Sequence, residues 1–241
     1  MTWARKRVVS IVEGLGEEWA VPRLVERWIR QHRLFQEYVA DEPALCAKGV
    51  GKLKCAPGHQ RGVEYFVRVA LARVPHAILI VFDADKECPQ RAATRKEPLG
   101  IEILRRARAS APPDVQIAVV VADREFEAWF VEHRHALGLP RPDAWTGIPA
   151  LETIADCKKL VGRMLERRYD PVVDQPTLTT KLPLLSADSE ELIRGGRSYR
   201  KLIVSLARLM PPIPENTEDE SQSGDDRIDP TGSVRSDDEK E

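Results

Sequence analysis

The strongest constraint on the fold is a set of three short, nearly continuous apolar runs: Arg7 to Val12, Ala77 to Phe82 and Val115 to Ala122. A strand that alternates apolar and polar residues has one wet face. A run apolar in both directions must be covered on both faces, as in a parallel sheet sandwiched between helices. Helical spacing follows each run. Trp19, Leu24, Trp28 and Ile29 recur between about Gly16 and His32, Arg105 lies inside a helical stretch after the second run, and another helix is predicted from Arg124. A further helix, about Gln60 to Arg73, carries Val63, Phe66, Val67, Ala70 and Leu71 on one face and is closed by Pro75. Alternating strands and helices predict an α/β fold with a largely parallel sheet.

From about Pro140 the strand signal ends. Cys157 to Arg168 and Ser198 to Met210 read as helices, separated by a segment containing Pro171, Pro176 and Pro183. The expected organisation is an α/β domain over residues 1–139, a helical extension packed on it over 140–212, and an acidic tail over 213–241. The tail is too poor in apolar residues to offset ordering entropy, so disorder is expected there. Charge follows the same division. Residues 215–241 hold 11 acidic and 3 basic groups; removing these from 38 and 37 leaves 27 acidic and 34 basic groups, a body of about +7. A basic body suits a polyanionic partner. Four cysteines without a CxxC pair argue against a disulfide framework or zinc ribbon and for free thiols. The short apolar run after Arg5, Lys6 and Arg7 is too brief for a signal peptide or membrane span, so a cytoplasmic protein is expected.

In parallel sheets functional groups gather beyond the carboxyl ends of the strands. Three such ends carry acids here. Glu13 leaves the first run and is followed by Gly14, Gly16, Glu17 and Glu18; the glycines permit a tight turn or a close-lying phosphate, and the two later acids suit a helix N-terminus. Asp83 and Asp85 end the second run with a spacing that aims both side chains the same way in extended chain. Carboxylates so close repel, and Mg²⁺ or Mn²⁺ is a natural remedy because hard cations prefer oxygen ligands. After the third run, Asp123 suits a helix cap, Glu127 falls in a first helical turn within reach of the same crevice, and Phe126 and Phe130 suit the core.

The order strand-Glu13-Gly14, helix, strand-Asp83-x-Asp85 resembles the TOPRIM domain of topoisomerases, primases and overcoming-lysogenization-defect nucleases. The Val12-Glu13-Gly14-x-x-Glu17-Glu18 form is closest to the last group. Arg124 to Phe130, Asp156-Cys157-Lys158-Lys159 and Arg197-Ser198-Tyr199-Arg200 resemble an uncharacterised bacterial TOPRIM-like family often encoded beside an ATPase, and the likeness spans about Arg5 to Met210. It implies Glu13 as the TOPRIM acid, Asp83 and Asp85 as a metal pair, Glu17 as an assisting ligand and Glu127 as a family-specific acid.

The activity implied is metal-dependent hydrolysis of nucleic acid, DNA being the expected substrate, in defence against phage or mobile DNA with an ATPase partner. No separate tyrosine-bearing domain is evident for a covalent intermediate, which favours a metal-activated water. Lys52, Lys54, His59 and Arg61, with Arg194, Arg197 and Arg200, are the candidate phosphate contacts. Haloacid-dehalogenase-type phosphotransferases also place Asp-x-Asp after a strand, but at the first strand and followed by Thr or Val, where Glu87 stands here. Receiver domains need an early acid pair, and Glu13 is followed by glycine. The non-enzymatic alternative is a catalytically silent TOPRIM-fold subunit that binds an ATPase.

Overall fold

A computed structural model describes residues 4–58, 60–84, 97–141, 156–185, 189 and 196–211. The candidate residues Asp85, His59 and Arg194, and the acidic tail, lie outside them. The sheet is parallel throughout. β1 (Lys6–Val12) and β4 (Ala77–Asp83) pair centrally, β5 (Gln116–Ala122) flanks β4, and two short strands, β2 (Tyr38–Ala40) and β3 (Leu45–Cys46), share the other side of β1. β2 pairs with its first half and β3 with its last two residues.

The three long strands are the three apolar runs, and their two-residue period divides the core. Ala77, Leu79 and Val81 of β4 join Ala118 and Val120 of β5 on one face; Ile78, Ile80 and Phe82 join Ile117 and Val119 on the other. The second face is covered by α2 (Val50–Lys54), α3 (Val63–Leu71) and α4 (Leu99–Ala109). The first is covered by α1 (Glu17–Gln31), α5 (Ala128–Glu132), α6 (Cys157–Met164), α7 (Pro171–Thr179) and α8 (Arg197–Leu209). Helices from beyond residue 140 therefore share a core with the sheet, α7 packing along α1 and α8 against β5.

Several expectations are corrected. β2 and β3 have no counterpart among them, because pairs and triplets of residues carry no readable period. The proline segment after α6 is not a break but α7: Pro171 stands in its first turn, where a missing N–H costs nothing, and Asp170 caps it by accepting from Val172 N at 3.0 Å. The helix expected from Arg124 starts at Ala128, because Arg124 adopts a left-handed conformation (φ 64°) that α-helix cannot continue. Asp123 accordingly stands in the connecting turn, well before the helix start. α6 ends at Met164, short of Arg168. Glu166 takes the left-handed position (φ 54°) of a Schellman turn, with Arg167 N donating to Gly162 O and Glu166 N to Arg163 O.

One internal proline has a structural use. Pro22 in α1 has no N–H to give the Glu18 carbonyl, and that carbonyl instead accepts from Ala44 N at 3.0 Å, tying α1 to the chain entering β3. Among the described residues no helix is long and apolar enough to cross a membrane. Cys46, Cys55 and Cys157 are free thiols.

Candidate functional site

Register puts the strand ends level. Val12 pairs with Val81 and Asp83 with Ala122, so Glu13, Asp83 and the turn after β5 meet at one sheet edge. There the Asp83 N–H donates to Glu13 Oε2 at 3.0 Å, and Asp83 Oδ1 accepts from Phe126 N at 2.8 Å. The left-handed step at Arg124 turns the chain so that this amide faces Asp83. Phe126 and Phe130 pack edge to face beneath, fully buried, with Trp129 beside them.

Glu17 is buried at the start of α1. Its Oε2 accepts from Gly14 N at 2.6 Å, and its Oε1 accepts from Gln175 Nε2 at 3.2 Å. It does more than complement the helix dipole. The same Gln175 amide donates to Glu127 Oε1 at 2.8 Å, joined by the Tyr169 hydroxyl at 2.9 Å. Glu127 is the residue immediately before α5, not within its first turn, and is completely buried; its Oε2 has no hydrogen-bond partner. The glycines between Glu13 and α1 are there for space. A Cβ on Gly16 would run into Gln175 Oε1 and lie 2.7 Å from the Pro171 carbonyl oxygen, and one on Gly14 would lie 2.5 Å from Glu17 Oε2.

A lysine enters this acid cluster. Glu125 Oε2 accepts from Cys157 N and Lys158 N, and Asp156 Oδ1 accepts from Lys159 N, so three first-turn donors of α6 are satisfied by acids. That cap fixes α6 over the site and sets Lys158 Nζ 3.9 Å from Asp83 Oδ2 and 3.7 Å from Glu125 Oε1.

Electrostatics follow from the crowding. Burial raises the proton affinity of Asp83 well above the usual carboxylate range, and Glu17, Glu127 and Glu13 raise it further against the pull of Lys158. Burial likewise raises Glu127, opposed by Lys158 and by the Tyr169 and Gln175 hydrogen bonds. Burial works against the charge of Lys158, but attraction to Glu127, Asp83 and Glu125 outweighs it and its proton is held more tightly than an ordinary lysine's. The Cys157 thiol is pushed up to about 12, by burial first and then by Glu125, Glu127 and Asp83.

Of the acids expected at the site, Glu13, Glu17, Asp83 and Glu127 converge. Among the described residues no group of three or more His, Cys, Asp or Glu stands ready-made to hold a metal ion. The donor chemistry still suits a hard cation: Asp83 is crowded by three acids, and Glu127 carries a buried unpartnered oxygen. The expected phosphate contacts fall into two groups. Lys52, Lys54 and Arg61 belong to the α2–α3 side of the sheet, following a loop in which Gly49 N donates to Glu13 O. Arg197 and Arg200 belong to α8 on the opposite side. Lys158, Tyr169, Gln175 and Glu125 carry no role that sequence reasoning assigns. Lys158 stands within a resembling motif, but nothing in spacing or composition marks Gln175. No family model, no curated protein and no solved structure matches the chain, so the site's own geometry carries the reading of its function.

Proposed function

We propose that the protein is a TOPRIM-like, metal-dependent nuclease that hydrolyses phosphodiester bonds, acting on DNA in defence against phage or mobile DNA with an ATPase partner. The observation that carries this reading is the meeting of Glu13, Asp83, Glu17 and Glu127 at the carboxyl edge of a parallel sheet, where burial first and then like charges penalise the ionised form of Asp83. Glu13, Asp83 and Glu17, with Asp85, would hold Mg²⁺ or Mn²⁺, and Glu127 would complete the catalytic acids. Such an ion, when bound, polarises a phosphate and lowers the pKa of a coordinated water. The chain's own groups supply the rest. Lys158 offers a positive charge toward a phosphate oxygen, as electrostatic stabilisation of a developing anion requires. Glu127, with raised proton affinity and an unpartnered oxygen, is suited to hold a proton. Gln175 and Tyr169 fix its carboxylate.

The test is cleavage of supercoiled plasmid and single-stranded DNA with Mg²⁺ or Mn²⁺ by the wild type, Glu13→Ala and Asp83→Asn. Loss of cleavage in both variants is expected; equal activity in all three proteins would remove the mechanism. Lys158 supports a second reading, because its ammonium already supplies positive charge beside Asp83. On that reading the chain is a catalytically silent TOPRIM-fold subunit binding an ATPase. A silent subunit can keep its acids for metal, so cleavage separates the two; calorimetric titration with Mn²⁺ tests the nuclease reading further, which requires saturable binding that disappears in Asp83→Asn.

A further inference from the structure

The Schellman turn after α6 folds residues 166–169 back along the helix, and a recess of about 550 Å³ lies between them. Five of its lining residues are basic and two acidic. The acids are occupied or opposed: Asp156 spends its carboxylate on the cap of α6, and Glu166 stands among arginines. Arg167 pairs bidentately with Asp174. Lys159, Arg163 and Arg168 are exposed, and their side chains form no ion pair with a described residue. The inner wall is Tyr169 and Lys158, the two residues that also touch Glu127 and Asp83. A row of unspent cations therefore leads directly to the carboxylate cluster, with an aromatic ring and Pro171 offering apolar surface beside it.

We propose that this recess binds the backbone of single-stranded nucleic acid, with Lys159, Arg163 and Arg168 contacting phosphates, and delivers the strand to the acids through Lys158 and Tyr169. The inference rests on the nuclease reading for its destination, but the recess as a binding site stands on its own. A cavity of this size admits one or two nucleotides of a single strand and not the girth of a duplex. Cations beside an aromatic face are the usual means of holding a strand without reading its sequence. The site differs from the α2–α3 and α8 groups nominated from sequence, neither of which lines this recess.

The experiment is fluorescence anisotropy of a labelled twelve-residue oligothymidylate with the full chain in EDTA, which separates binding from cleavage. The triple variant Lys159→Ala/Arg163→Ala/Arg168→Ala is expected to weaken binding about tenfold or more. It should also flatten the slope of log K against log salt by about 2, since each phosphate neutralised on a single strand contributes roughly 0.7. Arg23→Ala/Arg68→Ala/Arg108→Ala, three exposed cations that do not line the recess, should change affinity less than about threefold, and unlabelled duplex should compete more weakly than unlabelled strand. Unchanged affinity in the first variant, preference for duplex, or no binding by the wild type at low salt overturns the assignment. If that variant no longer binds the strand, the recess is supported even where Mg²⁺ elicits no cleavage, which would count against the nuclease reading alone. Plasmid cleavage with unaltered oligonucleotide binding in the variant would leave that reading intact and eliminate the recess.

Discussion

Replacing Glu127 separates the role of its shape from that of its charge. In Glu127→Ala, the part-buried Tyr169 hydroxyl and one N–H of the fully buried Gln175 amide lose their acceptor, the amide keeping only its bond to Glu17. An orphaned buried donor costs about 1–3 kcal/mol. Two of them, offset by removal of a carboxylate whose ionised form burial already penalises, give a loss of roughly 2–5 kcal/mol. At roughly 2–4 °C per kcal/mol for a chain of this size, the midpoint should fall by roughly 4–20 °C. Glu127→Gln keeps an oxygen for both donors and removes the buried charge, while forgoing the attraction of Lys158. Its stability should stay within about 1 kcal/mol of wild type at pH 7. Thermal unfolding followed by circular dichroism reads both. On the nuclease reading, cleavage should vanish in the two alike, since neither residue can hold a proton as a carboxylate does. If Gln proves as destabilising as Ala, satisfaction of Tyr169 and Gln175 is not what Glu127 contributes to the fold, and the reasoning fails.

The glycines before α1 should respond differently to alanine. Gly16→Ala meets an immobile carbonyl as well as a side chain and should cost about 1–3 kcal/mol in chemical denaturation, whereas Gly14→Ala, meeting the tip of Glu17, should show a smaller stability change and, on the nuclease reading, loss of cleavage. His133 is held by burial at about 4, below its ordinary 6.5; Glu132 stands 3.7 Å away but spends that oxygen on Gly196 N. The unfolded chain takes up this proton first, so the stability His133 contributes is complete above about pH 6.5 and declines toward pH 4, by up to about 3 kcal/mol. His133→Leu should flatten that limb of the stability curve, and an unchanged limb would exclude His133 as its source. Asp83 and Glu127 have raised proton affinities, so their effect has the opposite sign: stability falls as pH rises through their folded-state values. Mg²⁺ or Mn²⁺ should therefore raise the melting midpoint more at pH 8 than at pH 5, and no shift at either pH would argue against a cation at these acids. In timed alkylation read by mass spectrometry, Cys157 should label far more slowly than Cys55; equal rates would refute its burial.

The legibility of this chain in its sequence follows from physical length scales. β1, β4 and β5 announced themselves because central parallel strands must be apolar in both directions, which put Glu13 and Asp83 at the same edge of the sheet; that β1 and β4 are direct neighbours is seen only in the fold. β2 and β3 were too short to show a period, and α7 was concealed by prolines whose effect depends on position: Pro171 begins a helix, while Pro22 only redirects one carbonyl. Arg124 moved the start of α5 because a left-handed residue leaves no mark in hydrophobic spacing. At the site, the acids were legible as strand-end residues. Their partners were not, since Lys158, Tyr169 and Gln175 come from distant segments and act through individual hydrogen bonds or charges, two of them from Gln175, rather than any repeating pattern.

The Gln175 amide joins Glu17 to Glu127 across 158 and 48 residues of chain. On the ribosome this has a temporal meaning. The strands and their acids emerge first; Lys158, which balances them, follows in α6, and Gln175, which bridges them, only in α7. Two helices made after the whole sheet thus complete the cluster, and a nascent chain carries the acids before it carries the groups that balance and bridge them.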